Sequence, residues 1–327
     1  MIRFIANRLF SMVVMMFLIS IAAFVIIQLP PGDFLTTLVA SMQQGSDVSQ
    51  EQIAFLTRRF GLDQPLYIQY WRWISGILFE GDFGYSFQWK RPVAELIWDQ
   101  LGFTMLLSLA TLLFAWAISF PIGVYSAVKQ YSIGDYIVTF IGFIGLAIPN
   151  FLLALVLMYI GFRYFGQSVG GLFSPEYRTA PWSWAKVWDL MSHLWIPMIV
   201  IGAARTAELI RIMRANLLDE LNKPYVTTAR AKGLSEMRLI LKYPIRIALN
   251  PFVSTVGWVL PSLVSGAVIV SVVLNLPTVG PLLLSSLQSQ DMYLAGGFIL
   301  LLSVLTLVGT IISDILLAIL DPRIRLE

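Results

Sequence analysis

Residues 103–128 read FTMLLSLATLLFAWAISFPIGVYSAV, a run without one charged side chain. Wound as an α-helix at about 1.5 Å per residue, it is longer than the roughly 30 Å hydrocarbon core of a bilayer. Outward from this stretch, five more apolar runs have comparable length: Leu9–Leu29, Tyr136–Phe165, Leu194–Ile212, Pro251–Leu274 and Met292–Leu320. Tyr136–Phe165 and Met292–Leu320 are long enough to tilt or to extend past the bilayer. Arg3 and Arg8 precede the first run, as in a secretory signal. Its apolar segment is longer than a signal core, and no clear cleavage pattern follows, so it reads as an uncleaved first span.

Composition agrees. Of 327 residues, 57% are hydrophobic and 13% charged, with a mean hydropathy of +0.77. Soluble domains carry about 25% charged residues, so this chain has too little polar surface to cover a water-facing globule. The expected fold class is all-α: a polytopic membrane protein of about six transmembrane helices, residues 1–327 forming one transmembrane domain. Lys and Arg set the orientation. Arg211, Arg214, Lys223, Arg230, Lys232, Arg238, Lys242 and Arg246 crowd the segment 213–250 and its border, and Arg3, Arg8, Lys129, Arg323 and Arg325 fall on the same side. Loop 275–291 has neither Lys nor Arg. Both termini and the loop 213–250 are therefore expected in the cytoplasm, and the long loop 30–102 outside. That outer loop holds Tyr67, Tyr70, Trp71, Trp73, Leu78 and Phe79. A short helix over Gln69–Phe79 would either lie in the membrane interface, where amphipathic aromatics settle, or pack onto the ends of the spans.

Several chemistries are excluded. Without Cys there is no disulfide or thiolate site, and His193 is the only His. No phosphate-binding GxxxxGK[ST] loop, HExxH or GxSxG motif occurs. No catalytic or metal-ligating residues are expected, nor a nucleic-acid partner. Arg205 and Glu208 in the fourth run and Asp314 in the sixth are ionisable groups within spans, which in general face protein or water. Arg205 and Glu208 lie three apart and share a helix face. They either tie the fourth span to a neighbour or line a pathway, with Asp314 as a third member. Pro121-Ile122-Gly123, Pro149-Asn150, Pro197, Pro261 and Pro277 punctuate the spans. Such residues permit kinks that line a cavity, although they are common in membrane helices anyway.

Residues 222–251 read NKPYVTTARAKGLSEMRLILKYPIRIALNP. Pro224 suits a helix start and Gly233 a left-handed helix stop. Ser235 then opens a second short helix. Helix, glycine, helix makes a compact basic knob, able to seat in a groove of a soluble partner or to lie against anionic lipid.

Tyr225-Val226-Thr227-Thr228-Ala229-Arg230-Ala231-Lys232-Gly233-Leu234 resembles the EAA loop of bacterial ABC importer permeases, in its peptide-permease form. Ala229 and Gly233 match that pattern. Thr227 and Thr228 stand in place of its Glu and first Ala, and Ile245-Arg246 in place of the later Leu-Pro. The absent Glu removes any role of that carboxylate and leaves the docking role of the loop. Met1-Ile2-Arg3-Phe4-Ile5, Leu29-Pro30-Pro31-Gly32-Asp33, Gly61-Leu62-Asp63-Gln64-Pro65-Leu66, Gly81-Asp82-Phe83-Gly84-Tyr85-Ser86, Ala147-Ile148-Pro149-Asn150-Phe151 and Leu320-Asp321-Pro322-Arg323 extend the resemblance to the B-type subunit of dipeptide and oligopeptide (nickel) permeases. The resemblance implies a type I ABC importer permease fold in a bacterial inner membrane. It also implies a homologous C-type permease subunit, two ATP-binding subunits that carry ATP and Mg, and an extracytoplasmic substrate-binding protein. Oligosaccharides, opines and nickel chelates are alternative cargoes of such machinery. A secondary transporter or channel is the distant alternative.

Overall fold

A computed structural model describes residues 2–28, 64–86, 88–168, 170–255, 268–289 and 291–320. Its long apolar helices are α1 (Ile2–Gln28), α3 (Val93–Val128), α6 (Trp184–Leu221) and α12 (Met292–Leu320). Among the described residues these four are long and apolar enough to cross a membrane, and α4 (Ile133–Ala147) with α5 (Asn150–Phe165) makes a fifth if that bent pair is one span. Half of the expected span Pro251–Leu274, residues 256–267, lies outside the described residues; the rest falls on the end of α9 (Pro244–Ser254) and on and beside α10 (Val268–Val273). The C-terminal Asp321-Pro322-Arg323 and most of the outer-loop motifs before Gln64 are likewise outside them.

The span expected as one helix over Tyr136–Phe165 is two helices meeting at 103°. The cause is local. Pro149 has no N–H to continue the ladder, and its ring disfavours the helical region for the residue before it. Ile148 is accordingly extended (φ −80, ψ 123), and the Pro149 carbonyl then accepts from the N–H groups of Leu152 and Leu153 to start α5. Pro121 and Pro197, by contrast, lie inside the continuous helices α3 and α6.

The described residues form two compact units, one drawn from residues 103–277 and 305–320, the other from 2–102 and 278–304. In the second unit the expected outer helix is present as α2 (Leu66–Ser75), which widens into a π-turn at Gly76–Glu80 and stops at left-handed Gly81. Its two faces divide the two sequence readings. Trp73 is buried with Ala23 of α1 and Leu300 of α12, and Tyr70 meets the Phe24 ring edge-on and the Ser20 hydroxyl at 2.8 Å. Tyr67, Trp71, Leu78 and Phe79 stay exposed. A two-residue hairpin, β1 (Tyr85–Ser86) against β2 (Arg91–Pro92), leads into α3. Asp291, fully buried, accepts the Ser86 hydroxyl at 2.5 Å and heads α12.

In the first unit α6 is the central element, packed by α4, α5 and α9. One apolar cluster gathers Leu194, Val200 and Ile201 of α6 with Leu107 and Leu112 of α3, Ala154 of α5 and Val270 of α10. A second gathers around the C-terminal third of α6 and includes the basic segment.

Candidate coupling site and transmembrane charges

α6 outruns its apolar stretch and continues to Leu221. Three residues later Pro224 opens α7 (Pro224–Ala231) at the position where a missing N–H is harmless. Gly233 has φ +79, and the chain turns back with its N–H on the Arg230 carbonyl and the Leu234 N–H on the Ala229 carbonyl. Ser235 precedes α8 (Glu236–Lys242), and Pro244 opens α9. These boundaries agree with those expected from Pro224, Gly233 and Ser235.

Burial divides the knob. Val226, Ala229, Leu239 and Ile240 face inward, packed with Met213 and Leu217 of α6 and Ala248 and Phe252 of α9. Leu234 and Tyr225 are half-buried at the rim. Thr227, Thr228, Arg230, Ala231, Lys232 and Gly233 are exposed, as are Met237 and Leu241. Arg230 Nε donates to Glu236 Oε1 at 2.6 Å across the glycine turn, and this bond holds the Glu236 carboxyl below the usual range. Burial, with the bond donated to Glu220 at 2.6 Å, pushes the Tyr225 phenol up. Ala229, expected within the docking motif, therefore supports the knob from inside, and the outward face belongs to its sequence neighbours.

In the middle of α6, Arg205 Nη1 lies 3.3 Å from Glu208 Oε2, with the two side chains 29% and 35% exposed. The pair expected from the spacing is formed. Pro149 is exposed at the α4–α5 bend and Asn150 is half-buried as the first residue of α5. Asp314 lies on α12, half-buried, beside Ser313, whose hydroxyl reaches the Val253 and Ser254 carbonyls of α9.

A second ionic site was not anticipated. Asp135, at the start of α4 and 2% exposed, accepts from Arg214 Nη2 at 3.0 Å and Nε at 3.2 Å, from the Tyr131 N–H at 2.9 Å and from the Ser126 hydroxyl. The sequence does carry a signal for it: Ser132 and Asp135 stand in the Ser-x-x-acid spacing of a helix start, and the Ser132 hydroxyl accepts the Asp135 N–H at 3.2 Å.

Comparison with known proteins places this architecture. Residues 119–326 match the family model described as binding-protein-dependent transport system inner membrane component, and residues 1–110 match the model of the N-terminal region of such membrane components. The chain belongs to this family of ABC importer permease subunits. The permease is 38% identical over 311 residues to the oligopeptide transport system permease protein AppB of Bacillus subtilis, covering 94% of each chain. It is 31% identical over 325 residues to the glutathione transport system permease protein GsiC of Escherichia coli K12, covering 99% of each. A putative peptide permease protein of Brucella ovis is 32% identical over 327 residues, again covering 99% of each. Among solved structures, a chain of the inward-facing MetNI methionine ABC transporter superposes with a TM-score of 0.51 at 16% identity, covering 69% of the permease and 96% of that chain. The fold is thus that of a type I ABC importer permease. The permease is a multi-pass membrane component of the importer, distinct from its ATPase.

Proposed function

We propose that this permease forms half of the translocation pathway of an importer for di- or oligopeptides. It pairs with a homologous C-type permease subunit and receives cargo from an extracytoplasmic binding protein. Two ATP-binding subunits, which carry ATP and Mg, dock on the outward face of α7 and α8. Both termini and the loop 213–250 lie in the cytoplasm, and the segment 30–102 lies outside the bacterial inner membrane. Arg205 and Glu208, with Asp314 and the Pro149-Asn150 bend, border the pathway.

The observation that carries the coupling role is the division of the knob. Its apolar face is already buried on α6 and α9, so its basic, Thr-rich outer face is presented as a rigid surface. A partner shifts the permease only if its two states contact that surface differently. The peptide relatives, similar along nearly the whole chain, support the cargo class.

Orientation is tested with single cysteines, since the chain has none. In intact cells an impermeant thiol reagent should label a cysteine at Ser49 and spare one at Ser235; the reverse pattern overturns the topology. Uptake of labelled peptides by the assembled importer tests cargo. Transport of an oligosaccharide, opine or nickel chelate, with none of peptide, replaces that reading.

A further inference from the structure

The buried carboxylate of Asp135 joins four segments. Its Oδ1 takes the Ser126 hydroxyl, from the end of α3, and Arg214 Nε, from α6. Its Oδ2 takes the Tyr131 N–H, from the α3–α4 turn, and Arg214 Nη2. Both oxygens of a group taken out of water are therefore paired, which is the condition for a buried charge to be tolerated. The turn is shaped for the purpose. Tyr131 has φ +61, a left-handed conformation that a non-glycine residue adopts at a cost, and its N–H is the one that meets Asp135. Apolar packing alone allows helices to slide, whereas the two-pronged Arg–carboxylate contact sets one register.

The same stretch of α6 carries the knob. Met213, next to Arg214, is fully buried, and with Leu217 it packs against Val226 and Ala229 of α7. It also closes on α3: a Cβ at Gly123 would stand 2.7 Å from Met213 Cβ, so only glycine allows that approach. A Cβ at Gly134, at the start of α4, would collide with Tyr125 of α3. Consecutive residues of α6 thus hold the knob on one side and the α3–α4 hairpin on the other.

We propose that Asp135 is a positioning residue of the transport cycle. With Arg214 and Ser126 it clamps the ends of α3 and α4 to α6, so that these helices and the α7–α8 knob move as one rigid body. This rests on the reading that ATP-binding subunits dock on the knob. Displacement there is then delivered to the α3–α4 hairpin without loss, and the clamp, not the knob alone, sets how much transport each ATP drives.

Spin labels on cysteines replacing Lys129, in the α3–α4 turn, and Lys242, at the end of α8, test the rigid body in the assembled importer. The expected result is one distance distribution, unchanged between the nucleotide-free and ATP-trapped states; a shift between states overturns the proposal. Asp135→Asn and Arg214→Gln test the coupling. Complexes carrying either variant should retain their ATP-binding subunits, while solute imported per ATP hydrolysed falls about tenfold, within the usual span of coupling free energies between sites. Arg214→Lys, which keeps the charge without the two-pronged contact, should fall between. A wild-type ratio in assembled variants overturns the clamp, and if the variants do not assemble the label distances decide. Failure of the wild-type permease to retain ATP-binding subunits removes the docking reading, and this one with it.

Discussion

Arg205 and Arg214 stand nine residues apart on α6, and each holds a carboxylate, yet the two sites differ in kind. Arg205 meets Glu208 on its own helix, and both side chains are about one-third exposed. Arg214 reaches across to α4, to a carboxylate that is almost wholly buried and bound by two further segments. The first pair closes a loop of three residues, so forming it fixes little of the fold. The second closes a separation of 79 residues and sets the register of helices. The exposed pair can thus form wherever its own helix forms, whereas the buried one needs helices from distant parts of the chain to be in place.

The largest effects should come from the architectural side. Ala229→Asp would put a carboxylate into the apolar cluster that includes Met213, Leu217 and Phe252. It should cost about 4 kcal/mol or more locally, read as lost assembly and protease-sensitive loops in detergent. Retention of wild-type assembly would show that the knob is less enclosed than its burial indicates. Replacing Arg214 by Leu leaves the buried Asp135 without its counter-charge and should cost about 3 kcal/mol. A thermal-shift assay of the purified complex checks this, and an unchanged midpoint would erase the distinction between the two arginines.

Gly233→Val should act at an intermediate level. Nothing lies within 4 Å of an added Cβ there, so the penalty is the positive φ alone, about 1–2 kcal/mol for a branched side chain. Uptake should fall with the amount of membrane-inserted permease unchanged. Normal uptake and normal retention of ATP-binding subunits would sink the docking role of the turn. The smallest change in stability belongs to Glu208→Gln, below about 0.5 kcal/mol for a helical pair of this exposure. Its informative readout is uptake per assembled complex, measured also for Arg205→Gln. A change there supports the pathway reading; wild-type transport per complex in both variants eliminates it.

The two ionic sites differed equally in how legible they were. The Arg205–Glu208 pair follows from a three-residue spacing, and the knob follows from Pro224 and Gly233, because each of these residues constrains its own backbone. The α4–α5 bend was half legible: Ile148-Pro149 marks a break, but a continuous apolar pattern hides whether the chain kinks or turns sharply. Asp135 was visible as a helix-start residue near Ser132, with nothing in the sequence to point at Arg214. Likewise Ala229 belongs to a recognisable motif, yet that motif does not state which side of α7 is enclosed.

By itself, then, the sequence determined the membrane class, the order of the apolar segments, the crowding of Lys and Arg in the segment 213–250 and the helix–glycine–helix form of the knob. Hydropathy, charge count, proline and glycine act within a few neighbours along the chain, and a reader of one dimension recovers them. Only the tertiary structure decided which charges pair across elements, which face of the knob is spent on its own core and where the third apolar run turns. Those outcomes depend on distances between residues tens of positions apart, and in this protein they are set by close helix crossings and by one buried carboxylate.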